Sequence, residues 1–385
     1  MSVRVDPNLM KELEAFGLKD AKKCMHCGNC TAVCPLSEQE NTFPRKLIKY
    51  AQMGLKDKIL QSPEPWLCYY CGECSDTCPR GADPGEAMMT MRRYLTSRYD
   101  WTGFSRKFYT SDAFEIISVI VVAVLVGLAL WIFHADNPNM EHAYINSVWP
   151  APAIELADLI MATVLSILLL SNTYRCFSFI MGNLKFKVPL KIYILKAWEL
   201  VSHFLTQKKF GDCTDKMQWL IHLLIMTGYA SSFLLVTVFL AGGPHIIGIS
   251  WEYLMFQRDV IYPILHPIRL LGYYATFALL YGTTYAIIGR IKKEKAVYKN
   301  THISDWTFLI LLNLIALTGI LIHFARLLDW PMTTYVLYVL HIMCDVPVLV
   351  LMVPFAKWSH LAYRPVVIFL VKVKEEYQKE QRLFA

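Results

Sequence analysis

Two short segments with the same cysteine spacing constrain this chain more than any other feature. Residues 24–35 read CMHCGNCTAVCP and residues 68–79 read CYYCGECSDTCP, so the pattern C-x2-C-x2-C-x3-C-P occurs twice and uses eight of the eleven cysteines. The residues before the first copy contain several acids and no apolar run, unlike a secretory signal or transit peptide. We therefore expect this region in the cytoplasm, where closely spaced reduced thiols bind metal instead of forming disulfides.

The spacing itself predicts two [4Fe–4S] clusters. Three cysteines in a row present thiolates to three irons of one cluster, and the fourth, before proline, ligates the other cluster in two-cluster ferredoxins. The ligands of the first cluster are then Cys24, Cys27, Cys30 and Cys78, and those of the second are Cys68, Cys71, Cys74 and Cys34. Zinc is the alternative, but zinc sites use two C-x2-C halves. The cysteines outside the pattern, expected to pack in or near the membrane, are Cys176, Cys213 and Cys344.

The chain beyond residue 110 has the composition of a membrane protein. Hydrophobic residues make up 55% of the whole sequence and charged residues 18%. Six apolar stretches approach the roughly 20 residues needed to cross a bilayer. They are 112–134, 154–181, 217–241, 260–289, 305–327 and 334–357. We expect a cytoplasmic domain at 1–110, a membrane domain at 111–364 and a cytoplasmic tail at 365–385.

The loops between these stretches alternate in basic charge. The first and fifth contain no Lys or Arg, the third contains only Arg258, and the second and fourth are rich in lysine. Positively charged loops stay on the cytoplasmic side, so both termini are expected there, in a prokaryotic inner membrane. Within the second loop, residues 190–205 have the periodicity of an amphipathic helix that lies on the membrane surface or against a partner.

Five histidines fall in or beside the apolar stretches, where ionisable residues are rare and usually functional. Two histidines on opposing helices can ligate a haem iron from both sides. His222 and His360 share one depth near the inner face and are predicted to hold one haem b. His341, about 28 Å from His360 along a straight helix, is expected to hold a second near the outer face. His266 is favoured over His323 as its partner, and His245 is expected beyond the hydrocarbon.

Charged side chains near these histidines suggest further roles. Arg269, Lys357 and Arg364 are candidates to pair with haem propionates, although snorkelling of helix-end charges explains them equally well. A quinone needs a polar partner at each carbonyl inside an apolar pocket. The candidates for that site are His323, Arg326 and Asp329 near the outer end of the fifth stretch.

Residues 1–100 resemble the small iron–sulfur subunit of heterodisulfide reductases. The likeness includes NTFPRKLIKYAQMGLKDKILQSPEPWLCYYCGEC, residues 41–74, and CPRGADP, residues 78–84. Residues 112–364 resemble the cytochrome b subunit of that enzyme and the gamma subunit of respiratory nitrate reductases, most clearly in PFAKWSHLAYRP, residues 354–365. A chain that joins both parts is similar to the membrane subunits of quinone-interacting membrane-bound oxidoreductases of sulfate reducers.

The resemblance implies an all-α protein, with a helical ferredoxin domain followed by a six-span cytochrome b bundle. It implies menaquinone as the membrane substrate, and cytoplasmic partner subunits with flavin and iron–sulfur centres that exchange electrons with adenylylsulfate reductase. The expected function is electron transfer between quinone and those partners. The alternatives are the anchor of another respiratory reductase, a membrane redox sensor, and a transporter that uses Asp345 near the middle of the sixth stretch.

Overall fold

The computed structural model describes residues 4–37, 41–207, 210–211, 213, 215–239 and 260–383. These residues form helices and connecting loops and contain no β-strand. The prediction of an all-helical protein is therefore confirmed for this part of the chain. His245 and Arg258, considered above from the sequence, lie outside the described residues.

The N-terminal domain consists of eight mostly short helices. They are α1 Leu9–Glu14, α2 Asn29–Ala32, α3 Arg45–Gln52, α4 Lys56–Leu60, α5 Glu64–Leu67, α6 Glu73–Asp76, α7 Pro84–Tyr99 and α8 Phe104–Thr110. The longest, α7, begins where Asp83 accepts a hydrogen bond from the backbone N–H of Glu86, at 3.2 Å. Proline at its first position has no N–H to leave unpaired. The helix then runs through the centre of the domain, with Met88, Met91 and Tyr94 fully buried.

The rest of the chain contains the longest helices, joined by a few short ones. They are α9 Asp112–Ile132, α10 Ile145–Val148, α11 Ala151–Met181, α12 Leu190–Thr206, α13 Lys216–Leu234, α14 Pro267–Lys292, α15 Ala296–Lys299, α16 Ile303–Leu327, α17 Pro331–Pro347, α18 Val353–Phe355 and α19 His360–Leu383. Five segments are long and apolar enough to cross a membrane: Asp112–Ile132, Pro152–Leu184, Lys216–Phe239, Ile303–Leu327 and Pro331–Phe355. Large apolar side chains on them are exposed, such as Leu170 at 70% and Trp131 at 75%, as lipid contact requires.

The stretch at 260–289, predicted as a span, is not among these five segments. It forms α14, a helix of 26 residues that packs between α13 and α16. Four tyrosines within it, Tyr273, Tyr274, Tyr281 and Tyr285, lower its mean hydropathy. Its length exceeds the roughly 20 residues that a bilayer requires, so six spans remain a prediction.

The N-terminal helices and the long apolar helices share one hydrophobic core. Tyr363 and Val367 of α19 are fully buried in a cluster that also contains Trp66, Tyr99 and Cys176. The predicted helix at 190–205 is confirmed as α12, and it packs against α19. Of the residues expected as a tail, 365–383 form most of α19, the helix that begins at His360 and joins the two parts.

Candidate functional site

The two cysteine segments fold alike. Gly28 and Gly72 adopt left-handed backbone angles, with φ of 90° and 91°, and each precedes a four-residue helix, α2 or α6. Glycine adopts this conformation at little steric cost, and it turns the chain back so that successive cysteines face inward. The cysteine spacing therefore favours a loop that can wrap around a metal centre.

The first predicted set of cysteines lies around one small cavity. Its lining includes all four predicted ligands of the first cluster: Cys24, Cys27, Cys30 and Cys78. Burial raises the pKa of the Cys30 thiol, and the neighbouring thiolates of Cys24 and Cys78 raise it further. The fourth cysteine thus comes from the other segment, as the ferredoxin pattern requires.

The second set likewise combines three cysteines of one segment with the fourth cysteine of the other segment. Burial is the main cause that raises the pKa of the Cys34 thiol to about 12, and the thiolates of Cys68 and Cys71 raise it further. Cys74 has the same neighbours, and its pKa is raised chiefly by burial. A thiol must lose its proton to ligate iron, so cluster assembly here releases protons.

The spacing of the cysteines in the sequence favours iron–sulfur clusters over zinc. Zinc sites use two C-x2-C halves, whereas three cysteines in a row followed by C-P suit a four-iron cluster, in which each sulfur binds a different iron. Among the described residues, no group of three or more His, Cys, Asp or Glu side chains is close enough together to hold one metal ion.

His222 of α13 and His360, the first residue of α19, face each other at the end of the bundle next to the N-terminal helices. Their ring centroids are 6.2 Å apart and the ring planes are inclined by 60°. Two imidazoles on opposite sides of one metal, each nitrogen about 2 Å from it, would have centroids about 6 Å apart. The separation therefore fits a pair of axial ligands.

The tautomers of both rings suit this role. The Nδ1–H of His360 donates to the backbone carbonyl of Lys357 at 2.5 Å. The Nδ1–H of His222 donates to Oε1 of Gln207 at 2.7 Å. Each Nε2 consequently keeps a free lone pair, which a metal can accept. Both rings line a large cavity, together with apolar side chains from α13 and α16.

A continuous set of aromatic contacts joins this histidine pair to the second cysteine segment. Tyr69, between Cys68 and Cys71, stacks on Phe210 with ring centroids 4.8 Å apart. Phe210 in turn contacts the edge of His222 at 5.5 Å. The second cysteine segment, residues 68–79, called the second cluster loop below, therefore lies next to the histidine pair. Among the described residues, the first segment makes no such aromatic contact with the pair.

Basic side chains surround the same place. Arg364 donates from Nε to the carbonyl of Trp66 at 2.9 Å and from its terminal nitrogen to the carbonyl of Cys68, with its guanidinium 4.4 Å from the Tyr69 ring centroid. Lys357 forms an ion pair with Asp305. Both cations line the cavity, as expected of propionate partners, but they also bind protein groups. Arg364 thus fastens the second cluster loop to α19.

A second cavity lies between the first turns of α14 and the last turns of α16, at the end of the bundle predicted to face outward, and is called the outer cavity below. Its volume is about 320 Å³, within the range of small-ligand sites, and its lining includes His323, Arg326, Arg269 and Tyr273. Nε2 of His323 lies 2.9 Å from the Tyr273 hydroxyl. Asp329, a third quinone candidate, does not line this cavity. It accepts hydrogen bonds from His142 and from the backbone N–H of Ala143, because the chain turns away at the end of α16.

The partner of His341 stays a prediction. Nδ1 of His341 bonds to the Thr318 hydroxyl at 2.9 Å, and its ring packs beside Gly319, one helical turn before His323. His266 stands at the N-terminal end of α14, its ring 4.6 Å from that of Tyr262. His341 lies ten residues into α17, or about 15 Å along the helix.

Several residues of these sites were missed from the sequence. Tyr69 and Tyr273 are ordinary aromatics by pattern, and Gln207 and Phe210 belong to a loop with no motif. Cys213, expected to be a packing residue, is buried and donates a hydrogen bond to Cys71 that lowers the pKa of the Cys71 thiol. The signal that could have found Gln207, Phe210 and Cys213 is their position between two predicted spans, on the side where the cysteine domain was expected, whereas no sequence signal distinguishes Tyr69 or Tyr273.

Comparison with known proteins agrees with the cysteine geometry. Residues 20–82 match the 4Fe-4S dicluster domain family. A protein of Archaeoglobus profundus that is described as like the C subunit of heterodisulfide reductase is 39% identical over 92 residues, which is 24% of this chain and 47% of that protein. The C subunit of the ferredoxin:CoB-CoM heterodisulfide reductase of Methanosarcina mazei is 38% identical over 98 residues, 26% of this chain and 57% of that protein.

These relatives extend over only part of the chain. The chain spans about half the length of the curated relatives it matches, and the matches cover about a quarter of the chain. No solved structure matches it. The N-terminal region is a 4Fe–4S domain related to the iron–sulfur C subunit of heterodisulfide reductases, and in this chain it precedes helices that are long and apolar enough to cross a membrane.

Proposed function

We propose that this chain is the membrane electron-transfer subunit of a quinone-linked oxidoreductase complex. It carries electrons between the menaquinone pool and soluble subunits that contain flavin and iron–sulfur centres. The observation that carries the proposal is the contact between the second cluster loop and the paired histidines, through Tyr69 and Phe210. Side chains in van der Waals contact between two redox centres provide a path for electron transfer. Here that path leads from the helix bundle into the cytoplasmic domain.

The cofactors follow from the donor sets. Two groups of four cysteines suit two [4Fe–4S] clusters, and His222 with His360 suits the two axial positions of one haem b. A haem held on both sides by imidazole supplies one-electron transfer and leaves no position for oxygen. Arg364 and Lys357 place positive charge beside this site, where propionates need partners. A second haem b would use His341 and His266, which leaves His323 free for another role.

The surroundings of the two cysteine sets give the relay an order. The second set touches the membrane domain, whereas Cys27 of the first is exposed to solvent and Met25 beside it is 60% exposed. Electrons therefore pass between the histidine pair and the second cluster, then the first cluster, then a soluble partner. The same order serves either direction of flow.

The outer cavity suits the quinone head group. Apolar side chains form most of its wall, and His323, Tyr273, Arg269 and Arg326 supply polar groups. Oxidation of one menaquinol releases two electrons and two protons, and reduction takes them up. His323 and Tyr273, 2.9 Å apart, are placed to exchange one of those protons with a quinone oxygen.

The fusion of an iron–sulfur domain with this bundle favours the quinone-interacting membrane-bound oxidoreductases over other heterodisulfide reductase relatives. In that assignment the soluble partners deliver electrons to adenylylsulfate reductase. The resemblance of both halves supports it.

Purification in detergent tests the proposal. We expect about eight cluster-bound irons per chain, the optical spectrum of low-spin haem b, and reduction of both by a menaquinol analogue. A colourless preparation that contains zinc and no porphyrin would refute it. His222→Ala should remove one haem and leave the clusters, whereas the matched variant His142→Ala, at an exposed histidine, should leave every centre in place.

A further inference from the structure

Gln207 marks the C-terminal end of α12, outside the membrane spans. Its backbone is left-handed, with φ of 48°, and its side chain is buried. A left-handed residue commonly closes the C-terminal end of a helix, although glycine or asparagine usually occupies that position. Here the side chain also makes a contact: Oε1 accepts a hydrogen bond from Nδ1–H of His222, at 2.7 Å.

Gln207 is itself fixed from both sides. Its backbone N–H donates to the carbonyl of His203 at 3.0 Å, which closes the last turn of α12, and its own carbonyl accepts from Phe210 N–H at 2.7 Å. Phe210 is the ring that lies between Tyr69 and His222. One short connection therefore orients the imidazole and supplies the contact to the second cluster loop.

The two facing histidines differ in how they are oriented. His360 donates to a backbone carbonyl, which no substitution of a side chain removes. His222 donates to a side-chain amide from another helix. A hydrogen bond on the second nitrogen of a ligating imidazole fixes its tautomer and ring plane and raises its basicity. A more basic imidazole stabilises the oxidised metal and lowers its reduction potential.

We propose that Gln207 is a positioning residue for His222: its amide oxygen holds the imidazole with Nε2 toward His360 and sets the reduction potential of the metal that the pair holds. This inference rests on the proposed function, since the metal there is the iron of a haem b. Gln207 itself does not touch the metal, because its amide bonds to the far nitrogen of the ring.

Two substitutions in the full-length, detergent-purified protein test the inference. Gln207→Glu keeps the shape of the side chain and strengthens the acceptor, so the midpoint potential of the inner haem should fall. Gln207→Asn tolerates the left-handed backbone but is one methylene too short to reach His222, so the potential should rise and the low-spin electron paramagnetic resonance signal should broaden. Both cluster signals should stay unchanged.

Thr206→Val is the matched control. It alters the adjacent residue, whose hydroxyl donates to the Ser202 carbonyl at the exposed surface of α12, without touching His222. It should leave the haem potential at the wild-type value. If the Asn variant fails to accumulate, the isosteric Glu variant decides the matter.

The failures of the two proposals are distinguishable. Wild-type protein without haem would refute the proposed function. Wild-type protein with haem, whose potential and resonance signal are the same in Gln207→Glu and in Thr206→Val, would refute the role of Gln207 alone. A rise in potential in Gln207→Glu would refute it equally.

Discussion

The two cysteine segments share a spacing and a fold, but their surroundings differ. At matching positions, Met25 is 60% exposed and Tyr69 is 8% exposed. Gly28 lies beside the flexible end of Arg45, whereas Gly72 lies against the α15 backbone, where an added Cβ would stand 3.4 Å from the Val297 nitrogen. The first segment faces solvent and the second faces the bundle.

The difference shows which parts of the sequence set which properties. The repeated spacing determines a local loop that can wrap a cluster. Its surroundings come from residues more than a hundred positions away, among them Phe210 and Arg364. The proposed path of the electrons therefore depends on residues that are distant in sequence, whereas the ability to bind a cluster depends on the local cysteine spacing.

Removing one ligand from each segment should give the largest contrast. Cys71→Ser should abolish reduction of both clusters by a menaquinol analogue, because the membrane-proximal centre is lost. Cys27→Ser should leave the second cluster reducible and abolish transfer to a soluble acceptor. Stopped-flow absorbance with resonance spectra of the reduced protein measures both. Equal behaviour of the two variants would contradict the order of the relay.

The arginines beside the two segments should differ in stability. Arg364 is buried and donates to the Trp66 carbonyl and to the Cys68 carbonyl, which also accepts from Arg92, so Arg364→Ala leaves one buried acceptor unpaired and should cost about 2 kcal/mol of unfolding free energy. Arg45 donates one bond of 3.3 Å to the His26 carbonyl, and Arg45→Ala should cost less than about 1 kcal/mol. Chemical denaturation in detergent compares them, and similar losses would contradict the tight docking of the second segment.

Tyr69 and Met25 occupy the same position in the two copies and provide a matched pair. Tyr69→Leu removes the stacking contact with Phe210 and should slow electron transfer between haem and clusters, while stability falls by about 1 kcal/mol. Met25→Leu should change neither. Rapid mixing with menaquinol analogue and cluster absorbance report the rates. Unchanged transfer in Tyr69→Leu would remove this ring from the route.

Oxidative damage should distinguish the clusters by a smaller factor. Cys27 of the first set is exposed, whereas in the second set Cys68 is buried and the other three cysteines are half-buried. During oxidation by ferricyanide, the first cluster should therefore lose its electron paramagnetic resonance signal several-fold sooner than the second cluster. Simultaneous loss of both signals would mean that exposure of Cys27 has no bearing on access to the metal.

The sequence predicts the local features of this protein better than its long-range contacts. The all-helical class, the cysteine sets and the facing of His222 and His360 follow from spacing and depth along spans. The hydrogen bond from Gln207, the stacking of Tyr69 on Phe210 and the placement of Asp329 beside His142 depend on how loops from different spans meet. The pairing of His341 with His266 or His323 stays a prediction, because it depends on how the ends of different helices are placed.

The central claim is that the second cluster, and not the first, adjoins a haem held by His222 and His360. Spin-relaxation measurements on the two reduced cluster signals test it most directly, with the inner haem oxidised and paramagnetic. One cluster signal should relax faster in the wild type than in His222→Ala, and the other should be the same in both proteins. Two cluster signals that relax identically with and without His222 would contradict the account.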